Sequence, residues 1–246
     1  MILRVWHQTW SILLILAAWQ IWVSTGTYNS IVMVPPLAVF RDIVLSPRVY
    51  VGPALWTAVF GLGGLALGMT AGTLLAVLGW YSEAFSGVAG TAALLLSSTP
   101  VVCLIPLLAR IFGYKASTEL VTVMIMTMFP SFVYASQGLR KLPHMSDELF
   151  AVLHASRRKR LFLLALPAAA PNLAVALRVC AASSVLVAVV SEFLMQTGGL
   201  GALFAVTMQE LDIKRALGAS IVAMVLSAVF YTASGALEQK ILARSS

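Results

Sequence analysis

Residues 137–167 read QGLRKLPHMSDELFAVLHASRRKRLFLLALP, the one long polar segment in an otherwise apolar chain. Six of the sixteen Lys and Arg residues stand in it: Arg140, Lys141, Arg157, Arg158, Lys159 and Arg160. Apolar runs long enough to cross a bilayer flank it on both sides, so the segment must lie in water. It also carries signals of local folding. Pro143 disfavours helix in the residue before it. Ser146 suits an N-cap, and Asp147 and Glu148 put negative charge in the first turn, where the helix dipole favours it. Leu149, Val152 and Leu153 follow at i, i+3 and i+4, which gives a short helix with one apolar stripe. His154 stands where that helix ends. A second helical piece is expected from Arg157 to Leu166, running into Pro167. The stripe has two readings, a surface for a partner protein or a face laid on lipid.

The rest of the chain sets the class. Hydrophobic residues make up 60% of 246, charged residues only 10%, and the mean hydropathy is +0.95. A soluble domain carries about 25% charged residues. The expected fold is therefore an all-α membrane protein of about six transmembrane helices, with membrane lipid around it. The net charge of +7 is no nucleic-acid footprint, because the largest cluster of positive charge is gathered in one loop. Cys103 and Cys180 lie inside apolar runs as small buried residues, without the spacing of a disulfide framework or a metal site.

Six spans are read in order. Trp10 to Val23 is an uncleaved first span, with Trp10, Trp19 and Trp22 as interfacial anchors, in preference to a signal peptide. Residues 24–50 form an extracytoplasmic loop with a short surface helix. In the second span, 51–78, Gly64, Gly68 and Gly72 recur at i+4 and make a groove for a close-packed neighbour. The third, 85–108, contains Pro100 and Pro106. Ser97, Ser98 and Thr99 precede Pro100, where proline frees carbonyls that must face protein or a wet cavity. Lining of a pathway and a packed kink are both open there. The fourth span is 120–134. The fifth, 168–195, carries Arg178 near its middle and Glu192 fourteen residues on, about 21 Å along the axis, too far to pair within one straight helix. Charges within the membrane face a bundle interior or a cavity. Residues 196–215 read as a polar return containing Gly198 to Gly201, 216–237 as the sixth span, and 238–246 as a short tail. With the polar loop and both termini in the cytoplasm, nine Lys and Arg fall inside, six outside and Arg178 in the membrane, the sign the positive-inside rule requires.

Residues 148–167 resemble the cytoplasmic "EAA" loop of permease subunits in binding-protein-dependent type I ABC importers. Glu148 falls at the acid, Ala155 and Ser156 at the A-S, and Leu166-Pro167 at the closing L-P. Leu149 and Phe150 replace two alanines, and His154 replaces the turn glycine. His tolerates positive φ better than most residues. The likeness extends from about residue 34 to 240. Val34-Pro35-Pro36, Ser98-Thr99-Pro100 through Ile105-Pro106-Leu107, Phe112-Gly113, Phe129-Pro130, Gly138-Leu139-Arg140, Leu177-Arg178, Ser191-Glu192 and Gly199-Leu200-Gly201 are similar, in order and spacing, to motifs of the sulfonate, taurine and nitrate branch.

The resemblance implies a type I importer permease of MetI-like fold: one permease domain over 1–246, core 34–240, with a cytoplasmic coupling loop at 137–167. It implies a bacterial inner-membrane location. It implies two permease copies in a homodimer, two ABC ATPase subunits docked on the loops, and an extracytoplasmic substrate-binding protein. The ATPase-coupling residues would be Glu148, Leu149, Val152, Leu153, His154, Ala155 and Ser156. The translocation-path candidates are Ser97, Ser98, Thr99, Pro100, Arg178 and Glu192. Arg178 either meets cargo or ties helices together. The sequence contains no G-x-x-x-x-G-K-[ST] loop, so no bound cofactor is expected, and ATP would be used by the partner. Neither H-E-x-x-H nor G-x-S-x-G occurs, which speaks against a membrane-embedded enzyme. An ATP-independent channel or secondary transporter is the other class to separate. The branch carries sulfonates, nitrate and vitamin precursors, among which the sequence does not choose.

Overall fold

The computed structural model describes residues 2–26, 33–142 and 145–245, and all its regular elements are helices. They are α1 Ile2–Thr25, α2 Pro36–Leu45, α3 Pro47–Tyr81, α4 Glu83–Ser98, α5 Val101–Phe112, α6 Ala116–Arg140, α7 Ser146–Val152, α8 Arg157–Arg160, α9 Leu166–Met195, α10 Gly199–Gln209 and α11 Ile213–Ser245. Among the described residues, four stretches are long and apolar enough to cross a membrane: Pro47–Tyr81, Ala116–Arg140, Arg157–Met195 and Ile213–Ala243. The pair α4 and α5 makes a fifth if counted as one broken span.

The bundle is a row in which α3 packs along α6, α6 along α9, and α9 along α11, with α10 wedged against α9 and α11. Lipid tails are as apolar as leucine, so close approach of backbones is what holds such helices together. The glycines of α3 supply it. A Cβ on Gly64, Gly68 or Gly72 would overlap Val123, Thr127 or the Met128 carbonyl and Ser131 of α6. The Thr127 hydroxyl, 2.8 Å from its own helix's Val123 carbonyl, also lies 3.3 Å from the Gly64 carbonyl. Large side chains fill the row elsewhere: Phe129, Phe132 and Leu139 of α6 meet Leu161, Ala165 and Ala169, while Leu65, Val185 and Phe230 join α3, α9 and α11.

Helix α2 is the short helix expected between the first two spans, and a buried carboxylate pins it. Asp42 accepts from the Tyr50 hydroxyl at 2.7 Å, and Lys214 Nζ lies 3.0 Å from its other oxygen, with Arg215 Nε at 3.9 Å. Burial works against the ionised form of Asp42. The Tyr50 hydrogen bond and the Lys214 and Arg215 charges outweigh it, and hold the carboxyl below the ordinary carboxylate range. Gly218 leaves the space that the Tyr50 ring and hydroxyl occupy.

Four expectations are corrected. The third span is not continuous: Glu83–Leu96 and Val101–Phe112 meet at 104°, because Pro100 cannot donate and Thr99 before it is held extended. The helix that starts at Arg157 does not end at Pro167 but runs on to Met195. Residues Leu161–Ala165 form a π turn in which Leu166 N–H reaches back to the Leu161 carbonyl. The ladder shifts register there, just before the residue that has no N–H. The return at 196–215 contains the apolar helix α10. The tail is helical as well, since α11 extends through Ser245.

Candidate functional site

The polar loop folds as two short helices around a left-handed turn. Helix α7 begins at Ser146, one residue earlier than an N-cap there would set it, with Met145 ahead of it at φ 59°. Its end is a Schellman motif: His154 is left-handed at φ 47°, and Ala155 N–H bonds the Phe150 carbonyl at 3.0 Å. That is the six-to-one bond which closes helices at a C′ glycine, and His154 fills the glycine's place. Ser156 then caps α8, its hydroxyl accepting from Lys159 N–H at 3.4 Å. Glu148 is exposed on α7, and Leu149, Val152 and Leu153 are 57%, 77% and 66% exposed. These large apolar side chains are exposed together at the end of α7. The side chain of Asp147, together with Pro143 and His144, lies outside the described residues.

The path candidates do not converge on one point. Ser98 and Thr99 stand at the α4–α5 break, their hydroxyls on the Leu95 carbonyl at 2.8 and 3.1 Å, with Pro100 exposed beside them. The side chain of Ser97 lies outside the described residues. Next to α4 runs a cleft of about 730 Å³ between that helix and α6, lined by Ser86, Thr91, Phe132, Ser136 and Arg140 among others. Arg178 faces the other way, toward α11. Its guanidinium donates to Glu238 at 3.2 Å and lies over the Tyr231 ring at 4.3 Å, a cation–π stack added to an ion pair. Glu238, read in the sequence as tail, is thus the partner of Arg178.

Glu192 belongs to a third place. Its carboxyl is fully buried, accepting from Thr57 Oγ1 at 3.0 Å and Gly201 N–H at 2.9 Å. Glu119 of α6 is equally buried beside it, accepting from Trp56 Nε1 at 3.3 Å and Thr197 Oγ1 at 3.1 Å. Leu200 N–H donates to Thr57 Oγ1 at 3.0 Å. Gly199 and Gly201 are needed here, since a Cβ on either would run into Glu192. Sequence reading missed Glu119, Trp56, Thr57 and Thr197. A lone acid at the edge of a span looks like an interfacial residue, and only the G-L-G after Glu192 hinted at backbone pressed against a side chain.

Residues 68–243 match the family model described as "Binding-protein-dependent transport system inner membrane component". The chain belongs to that family. It is therefore an inner-membrane permease of the type I ABC importer class, a family that works with an ATPase and a substrate-binding protein. Among its relatives is the formylaminopyrimidine transport permease protein ThiX of Halalkalibacterium halodurans, 26% identical over 77% of this chain and 76% of that one. Another is SsuC of Bacillus subtilis, assigned to aliphatic sulfonate transport, 22% identical over 76% of this chain and 68% of that one. An inward-facing structure of the MetNI methionine ABC transporter has the same fold, with TM-score 0.59 and 18% identity over 85% of this chain and 99% of the matched chain.

Proposed function

We propose that this permease is one of two identical subunits that form a path for a small solute. An ATPase pair seated on α7 drives it, and an extracytoplasmic binding protein feeds it. Both termini face the cytoplasm in this reading, and the chain hydrolyses no ATP itself. The observation that carries the proposal is the unpartnered stripe of Leu149, Val152 and Leu153, at the loop position where the family's ATPase contact resembles it. The stripe is also mechanically linked to the bundle. From Arg157 the chain is helical without a break to Met195, 39 residues, or about 58 Å at 1.5 Å per residue. A displacement of α7 at closure of the ATP sites is passed by this rod to Arg178 and on to Glu192. The bent α4–α5 pair, with Ser97 to Pro100 at its corner, is the part of the path wall open to rearrangement. The cargo is a small solute such as a sulfonate, nitrate or a vitamin precursor; two relatives are named for aliphatic sulfonates and formylaminopyrimidine.

The test is uptake into proteoliposomes holding the permease, its ATPase and its binding protein. Uptake should require all three together with ATP. Accumulation by the permease alone, or without ATP, would establish a channel or secondary transporter instead.

A further inference from the structure

We infer that Glu119 and Glu192 share one bound proton, and that this proton-bridged carboxyl pair is the clasp joining α3, α6, α9 and α10 at one end of the bundle. The inference goes beyond the transport reading and does not depend on the cargo.

Neither residue has any exposed surface. Each carboxyl receives two donors, and all four go to the Oε2 atoms: Thr57 and Gly201 to Glu192, Trp56 and Thr197 to Glu119. The Oε1 atoms of both residues are buried without a donor, and neighbouring donors set the two carboxyls side by side: Trp56 next to Thr57 on α3, and Thr197 just ahead of Gly201. Two ionised carboxylates have no hydrogen to offer, so this arrangement would pair two acceptors and two negative charges in a dry site. Buried polar atoms in native proteins have partners. A single shared proton turns one carboxyl into a donor to the other, which offsets the missing donors and halves the charge. The negative charge that remains faces four donors and the first turn of α10, whose N–H groups favour it.

None of the described ion pairs reaches either carboxyl. The elements around it present Trp56 and Thr57 from α3, Thr197 from the connection, and backbone from α10. The described ion pairs of Lys214 and Arg215 run to Asp42 and Asp212, and that of Arg178 to Glu238. The site therefore holds a proton as its ligand, and losing it would set two charges against each other across α6 and α9.

Infrared difference spectroscopy on the assembled transporter at neutral pH tests this. The wild type should show one carboxylic-acid C=O band that shifts in D2O and is absent from both Glu119→Gln and Glu192→Gln. These variants keep the shape and supply an N–H in place of the proton, so they should assemble. Glu119→Leu, which leaves Glu192 Oε1 without a donor, should not. In alkali the wild type should lose thermal stability as the proton leaves, while the Gln variants stay flat over the same range. Absence of the band, or its persistence in both Gln variants, overturns the inference. So does a melting temperature that rises with sodium, potassium or calcium in the wild type only, which would place a metal cation between the carboxylates. If the Gln variants fail to assemble, the D2O shift and alkaline loss of the wild-type band decide alone.

Discussion

Replacing Asp42 by Asn should free α2 from the bundle while leaving the shape of the site intact. Asp42 holds Tyr50 at 2.7 Å and Lys214 at 3.0 Å, and its side chain is only 8% exposed. A hydrogen bond to a charged group contributes about 1.5–3 kcal/mol, and an ordinary one about 1 kcal/mol. Asn can still accept from Tyr50, so that bond falls from the first value to the second. Lys214 and Arg215 are 40% and 41% exposed. Water screens them, so each loses only about 0.5–1 kcal/mol. The sum is about 2–3 kcal/mol against the docking of α2, and Tyr50→Phe, which removes the whole bond, should cost about 1.5–3 kcal/mol. The readout is hydrogen exchange over 36–45 and the first turns of α11, where protection should drop some 30-fold or more. The pH dependence follows from the depressed acidity of Asp42. Its contribution is complete above the unfolded carboxyl's value of about 3.9 and is lost as pH falls through the lower folded value. Wild-type α2 should loosen in that acid window, and Asp42→Asn should show no such step. Equal protection of α2 in both proteins would refute the account of Asp42 as its anchor.

Gly68→Leu should force α3 off Thr127 and the Met124 carbonyl at a cost of about 1–3 kcal/mol or more, read as a lowered melting temperature. Gly52→Ala, with open space around it, should be neutral or slightly stabilising by helix propensity. Arg178→Ala strips a half-buried ion pair and the stack on Tyr231, so it should lower thermal stability while substrate-stimulated ATPase activity persists. Loss of stimulation at unchanged stability would instead put Arg178 in the path. Cysteine at Ser156 should react only from the cytoplasm and cysteine at Arg48 only from outside; the reverse labelling would invert the topology.

Much of this molecule was legible in the sequence because membrane helices announce themselves by composition. The glycine groove of α3 was legible too, since a 4-residue repeat of glycines has few uses but close packing, although the sequence did not say that α6 fills it. The loop was the clearest case. His154 stands at a left-handed position that the pattern reserves for a turn residue. Lengths were less legible. Pro167 reads as a helix stop, and only the π turn before it, which depends on packing of Leu161 and Ala165, lets the helix continue. The carboxyl pair was invisible, because Glu119 and Glu192 lie 73 positions apart and meet only through the α6–α9 contact. A separation of 60 positions likewise hid Glu238 from Arg178.

The central claim is that α7 is where the ATPase takes hold. Its three stripe residues are exposed in the chain by itself, and burying each would contribute about 1.5–3 kcal/mol. The decisive measurement is co-purification of the ATPase with Leu153→Asp at matched permease levels, alongside uptake. An unpaired charge in a dry contact costs several kcal/mol, while the spans are untouched. The variant should therefore insert and dimerise normally, yet lose the ATPase by tenfold or more and fail to transport. His154→Gly, which keeps the left-handed turn, should retain both. Full ATPase retention with normal uptake in Leu153→Asp would contradict the account.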